Sequence, residues 1–156
     1  MATWIKGITA VVLTLGLATG AMAAGSSSSS TTQSAASKLD KAEDAIEAGD
    51  YQRAIPLLQD VIDADSGNAD AYNYLGFAHR KLGNLDKSKR YYDQALAIDP
   101  DHKGANEYLG ELYLRLGDLG KAEERLTKLD EVCSYGCEEY EELKAAIERY
   151  RSEQQG

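Results

Sequence analysis

The chain has 156 residues, 43% of them apolar and 28% charged, with a formal net charge of −9. That length holds one domain, and that composition belongs to a chain able to bury a core rather than to a disordered one. The acidic balance argues against nucleic acid as a partner and is accounted for by solubility alone.

Residues 1–23 read as a secretory signal peptide. Lys6 supplies the positive n-region, residues 7–19 form an apolar run, and Ala21, Met22 and Ala23 offer the small-x-small pattern of a cleavage site. A run of 13 residues falls short of the roughly 20 that span a bilayer. Cleavage after Ala23 or Ala24 is therefore expected, with no membrane span left in the product. No cysteine lies in or just after the run, which argues against a lipid anchor. The expected location is periplasmic or secreted, an oxidising compartment in either case. Cleavage removes Lys6 and leaves 26 acidic residues against 16 basic ones.

Residues 24–37 are expected to form a Ser/Thr-rich flexible leader. From 25 to 37 they read GSSSSSTTQSAAS, with no apolar periodicity to offset chain entropy. The domain proper is placed at 38–154. Its organising feature is a period of 34 residues, seen in Gly49-Asp50, Gly83-Asn84 and Gly117-Asp118. Glycine ends a helix in a left-handed conformation and Asp or Asn caps the next one, so three helical hairpins are implied. Other positions keep the same phase. Ala42, Gly76 and Gly110 recur in the first helices, and Ala54, Ser88 and Ala122 in the second, where small side chains allow two helices of a hairpin to approach closely. Leu75 and Leu109 read as core, as do Leu58, Tyr92 and Leu126. Pro56 falls inside a second helix, where it removes a hydrogen bond and can bend the chain.

Period and residue types together resemble the tetratricopeptide repeat, a helix-turn-helix unit of about 34 residues. The unit at 69–102 carries Tyr72 at the large aromatic position, Leu75-Gly76, His79 where tyrosine is usual, Tyr92, Ala95 and a closing Pro100. The unit at 103–136 keeps Leu109-Gly110, Tyr113 and Ala122 but has Asn106 at the aromatic position. The unit at 35–68 is the weakest, with Lys38 and Lys41 at aromatic and leucine positions; a terminal repeat has one neighbour and tolerates polar substitution. A capping helix is expected at 137–154, where Tyr140, Leu143, Ile147 and Tyr150 form one apolar stripe. Its early glutamates (Glu138, Glu139, Glu141, Glu142) and later Lys144, Arg149 and Arg151 suit the helix dipole. The fold class the resemblance implies is all-α: three hairpins stacked as a short right-handed solenoid, closed by that helix.

The resemblance also implies a function. In this family the first helices line a concave groove that takes an extended peptide or a partner helix. The corresponding positions here are Glu43, Ile46 and Glu47, then Asn73, Phe77, Arg80 and Lys81, then Glu107, Glu111, Leu114 and Arg115. An aromatic anchor at Phe77 beside Arg80 suits a binding hot spot; the alternative is that Phe77 packs under the leader and the charges are solvated. One subfamily grips the terminal carboxylate of heat-shock chaperones with Lys and Asn. Those positions hold Leu39, Glu43, Tyr74, Gly104 and Tyr108 here, so that clamp is not expected.

Cys133 and Cys137 flank Gly136 where the third unit gives way to the capping helix. A turn there brings them within disulfide range, and a bridge over so short a loop would chiefly fix the angle of the helix. A redox-active pair or a soft-metal site completed by His79 or His102 are the alternatives; the redox motif with the best precedent has two intervening residues on a thioredoxin-like fold. No nucleophile elbow, phosphate loop or metal-spaced histidine pair occurs. The expectation is a non-enzymatic scaffold without cofactor, whose partner is another protein or peptide. Self-association through the repeat ends is a further possibility.

Overall fold

The computed structural model describes residues 27–134 and 136–156. The expected signal peptide and the start of the leader lie outside the described residues. Seven helices follow in order among them: α1 (Ser27–Glu47), α2 (Tyr51–Ala64), α3 (Ala69–Lys81), α4 (Leu85–Ile98), α5 (Lys103–Arg115), α6 (Leu119–Val132) and α7 (Glu138–Gln155).

The start of α1 differs from expectation. Residues 27–37, read from sequence as flexible leader, are the opening turns of a 21-residue helix. Serine and threonine cost only about 0.5 kcal/mol each relative to alanine in a helix, and neither glycine nor proline interrupts 27–47. Ala35 is already buried, and Ala42 and Ala45 seat the helix in a cluster with Ala54, Leu58 and Val61 of α2. The polar Lys38 turns outward and pairs with Asp60 of α2 at 2.7 Å. Packing of the alanine face thus decides the helix, not the weak propensity of its first half. In the same hairpin, α2 runs through the exposed Pro56 as a single helix.

The three hairpin turns share one geometry. Gly49, Gly83 and Gly117 have φ of 74°, 79° and 79°, a region where an added Cβ would be strained. Beyond each glycine the next backbone N–H reaches back over the helix end: Asp50 to the Ala45 carbonyl, Asn84 to that of His79 and Asp118 to that of Tyr113, at 2.8 to 2.9 Å. These are the closing bonds of a Schellman motif. Asp50 and Asp118 then cap α2 and α6 through their side chains, accepting from Arg53 and Lys121 N–H groups.

The joints between hairpins also repeat, twice. Asp65 accepts the Gly67 N–H and Asp99 that of Asp101, each at 3.0 Å. Three residues after each aspartate, Asn68 and His102 cap α3 and α5 by accepting the Ala71 and Ala105 N–H groups. The third joint keeps the register but changes the chemistry: Cys133 stands where the aspartates stood, and α7 has no side-chain cap.

Curvature follows from which helices touch. The odd-numbered helices contact one another in turn, α1 with α3, α3 with α5 and α5 with α7, while α2, α4 and α6 touch only helices adjacent in sequence. Helices that converge lie on the inner side of a curved stack, so α1, α3, α5 and α7 line the concave face. Beneath it lie two apolar clusters. One gathers α1, α2 and Leu75 of α3; the other gathers Tyr92 of α4, Leu109 and Leu112 of α5, Leu129 of α6, and Leu143 and Ile147 of α7.

Candidate functional site

Four rings form a chain through α2, α3, α5 and α4. Tyr51, at the start of α2, meets Phe77 of α3 edge-on at 6.0 Å between centroids. Phe77 meets Tyr108 of α5 at 5.0 Å, and Tyr108 meets Tyr92 at 6.3 Å. The Arg80 guanidinium lies 5.3 Å from the Phe77 centroid and 5.2 Å from that of Tyr108, cation–π geometry for both. Lys81 Nζ stands 4.9 Å from the Phe77 ring centre. Phe77 is therefore held by aromatic and cationic neighbours and is half-buried in their contact.

Arg80 is only 6% exposed. Burying a guanidinium requires a partner, and Arg80 Nη1 donates to Glu111 Oε2 of α5. Arg115 Nη1 in turn donates to the Arg80 backbone carbonyl at 3.2 Å. Arg80, Glu111 and Arg115, all read from sequence as groove residues, are thus joined in one network across α3 and α5. The Tyr92 hydroxyl, beside Arg80 and Ser88, titrates well above the usual phenol range because it is buried. Tyr108 is pushed up to about 12, first by burial and then by Glu107.

The other sequence-predicted positions divide by burial. Glu43 is half-buried beside Tyr74, whose hydroxyl is raised to about 12 by burial and then by that carboxylate. Ile46 packs on the N-terminal apolar cluster, and Glu47 and Lys81 are exposed. Asn73, Glu107 and Leu114 are buried. Glu107 faces α7, with the carboxyl groups of Glu142 and Glu139 near it. Its carboxyl is pushed up to about 9, by burial first and then by Glu142 and Glu111. A carboxyl held that high keeps its proton at neutral pH.

Where α3, α5 and α7 come together a cleft of about 420 Å³ opens. Arg80, Glu111, Leu114 and Arg115 form one side of it. The other side belongs to α7, with Ala146, Arg149, Tyr150 and Glu153. Those four were not read as groove residues. Tyr150 was placed in the apolar stripe of the capping helix, whose Leu143 and Ile147 are indeed core while Tyr150 is half-buried at the rim. The spacing of Ala146, Arg149, Tyr150 and Glu153 marks one helical face, but only the docking angle of α7 shows that this face looks into the groove. A second cleft, of about 470 Å³, adjoins it over Glu111 and Arg149 and is lined by Glu138, Glu141 and Glu142.

The Sγ atoms of Cys133 and Cys137 stand 2.03 Å apart, with the Cα atoms at 5.6 Å. Both cysteines pack on the C-terminal cluster. The two histidines are engaged elsewhere. His79 stacks on Tyr91 at 5.4 Å with its ring planes 6° apart, and burial, followed by Lys87 and Arg90, lowers its pKa. His102 caps α5 through Nδ1, and its Nε2 lies 3.0 Å from Asp70 of α3. Among the described residues no helix is long and apolar enough to cross a membrane.

Three helical hairpins of one phase, stacked with their first helices inward and closed by α7, define a helical-repeat solenoid. Family models of the tetratricopeptide repeat match residues 69–102 and 91–124; the second match is shifted to begin within α4 and end within α6. The chain is similar to an uncharacterized protein, ycf37, of Pyropia yezoensis, with 35% identity over 44% of this chain and 39% of that one. It spans between 5% and 39% of the length of the first curated relatives it matches. Among solved structures it is similar in fold to the first tetratricopeptide domain of Spaghetti (RPAP3) bound to an HSP90 peptide. There the TM-score is 0.68 and the identity 20%, over 76% of this chain and 97% of that one. It is likewise similar to the Yersinia enterocolitica type III secretion chaperone SycD in complex with a peptide of the translocator YopD. That match has a TM-score of 0.66 and 19% identity, over 76% and 92% of the two chains.

Proposed function

We propose that this chain is a non-catalytic interaction module that binds a polypeptide on its concave face after export to the periplasm or the cell exterior. The observation that carries the proposal is the cleft between α3, α5 and α7, where Arg80, Glu111, Leu114 and Arg115 meet. A rigid, partly apolar concavity with charged groups at its edges is suited to hold a side chain of a partner. The peptides named in the RPAP3 and SycD structures support the reading by analogy of fold.

Selection of displayed random 12-residue peptides on the purified protein tests it. The expected result is saturable one-to-one binding, with NMR shift changes confined to α1, α3, α5 and α7. Failure to select any saturable binder, or shift changes spread over α2, α4 and α6, would remove the proposal.

The export half rests on Lys6, the apolar run and the cleavage pattern. Expressed in a bacterium, the exported product should begin at residue 24 or 25 and resist iodoacetamide unless first reduced, because Cys133 and Cys137 are proposed to be bridged. An unprocessed chain would overturn export. Ready alkylation without reductant would overturn the bridge and favour an exchanging thiol pair.

A further inference from the structure

We propose that the C-terminal end of the groove, where α7 meets α5, is a subsite for an internal stretch of polypeptide that presents an acidic side chain next to an apolar one and continues into a basic residue. This rests on the peptide-binding reading above and gives it a ligand chemistry that the repeat alone does not carry.

In the floor of the first cleft Arg80 and Glu111 neutralise each other. Leu114, Ala146 and Tyr150 supply an apolar wall. Above the wall stand Arg115 and Arg149, with Glu153 the one acid not already paired with Arg80. Neither Arg115 nor Arg149 has an ion pair among the described residues, whereas Arg80 and Arg151 do. Arg115 is held in place by its hydrogen bond to the Arg80 carbonyl. On a chain of net charge −9, this is a local reversal of sign next to apolar surface. A carboxylate brought there gains bidentate partners, and an aliphatic or aromatic side chain beside it covers Leu114 and Tyr150.

The second cleft has the opposite balance. Glu138, Glu141 and Glu142 line it along with Glu111, and Arg149 is its one cation. Lys144 touches this group only at 3.9 Å from Glu141. Beneath lies Glu107, which retains its proton because burial and the surrounding carboxylates disfavour another negative charge. A lysine or arginine seated among these acids supplies the charge that the protein itself does not. The two clefts share Glu111 and Arg149, so a chain that fills one runs directly into the other. That continuity favours an internal segment over a chain end, since a terminal carboxylate would stop short of the acid-lined half.

The test uses the displayed 12-residue library with the peptide terminus masked by the display protein, selected on wild type and on Arg149→Glu and Lys81→Glu. Arg149 and Lys81 are both exposed, and thermal melting verifies that each variant folds. Clones selected on wild type should be enriched in Asp or Glu adjacent to Leu, Ile, Phe or Tyr, with Lys or Arg following. As amidated synthetic peptides they should bind Arg149→Glu at least tenfold more weakly, a clearly larger loss than with Lys81→Glu. Selected peptides without acidic residues, or with undiminished affinity for Arg149→Glu, overturn the subsite. If their binding falls with Lys81→Glu instead, the groove reading stands and only the subsite fails. If no clone binds saturably, both fail together.

Discussion

The two ends of the concave face are built from the same hairpin and differ in what closes them. At the N-terminal end Glu43 lies against Tyr74 and Ile46 is drawn into the apolar cluster. At the C-terminal end α7 arrives as a lone helix. Its Leu143 and Ile147 complete the core, while Ala146, Arg149 and Tyr150 form the wall of a cleft. The last helix thus departs from the repeat pattern. The joints make the same point: Asp65 and Asp99 organise two of them through hydrogen bonds, and at the third Cys133 replaces the aspartate and meets Cys137.

The largest expected effect concerns the network that ties the open end to the middle of the stack. Glu111→Ala strands the buried Arg80 guanidinium without its partner. A loss of about 3 kcal/mol is expected, at the low end for breaking a buried pair because Glu111 keeps contact with water. Urea unfolding measures it, and a loss under about 1 kcal/mol would mean that Arg80 is carried by its two rings instead.

Next come two glycines in the same phase of the repeat. A Cβ at Gly76 would stand 2.6 Å from the ring of Tyr92, whereas one at Gly110 would stand 2.5 Å from a methyl of Leu143 in α7. Small residues at this phase were expected to let the helices of one hairpin approach, which holds for Gly76 and Tyr92. At Gly110 the tight neighbour is the capping helix, a correction that follows from α7 taking the place of a fourth hairpin. The Tyr92 ring is rigid and fully buried, so Gly76→Ala should cost a net of about 2 kcal/mol after the gain in helix propensity. Leu143 can turn its methyl aside, so Gly110→Ala should cost about 1 kcal/mol. Equal losses in thermal melts would remove the distinction.

Replacing both Cys133 and Cys137 with Ser should lower global stability by only about 2 kcal/mol, since the loop that the bridge closes is short. Its effect should instead concentrate in α7, seen as faster amide hydrogen exchange there than in α3. Uniform acceleration along the chain would contradict that.

The effect that depends most on pH is carried by Glu107. Its folded-state pKa, about 9, lies above the ordinary 4.5, so the folded protein holds a proton that the unfolded chain releases. Glu107 therefore contributes most below about pH 4.5, and that contribution falls as pH rises toward 9. The Glu107→Gln variant, neutral throughout, should melt progressively higher than wild type between pH 5 and pH 9. A constant difference in melting temperature across that range would show that Glu107 is ionised in the fold.

Most of the architecture could be read from residues close in sequence. Gly49, Gly83 and Gly117 announce turns because each needs a positive φ, and the capping residues beside them are local as well. The site was less legible, because its decisive contacts join residues about one repeat apart. Arg80 is buried by Glu111, 31 positions later, and nothing in α3 alone distinguishes it from a solvated arginine. Asn73 and Glu107 face inward for the same reason. Arg149 and Tyr150 enter the groove through the docking of α7, which a helical stripe does not specify. The extent of α1 was hidden differently: its serines have too little propensity to announce a helix, and the anchoring alanines lie further along the chain.

The most direct measurement of the central claim is chemical-shift mapping of one selected, amidated peptide titrated into the isotope-labelled protein. The account predicts that the largest changes fall on Leu114, Ala146, Arg149 and Tyr150, with Glu43, Ile46 and Tyr74 nearly unmoved. Changes centred on Glu43, Ile46 and Tyr74, with the α5 and α7 signals still, would contradict it.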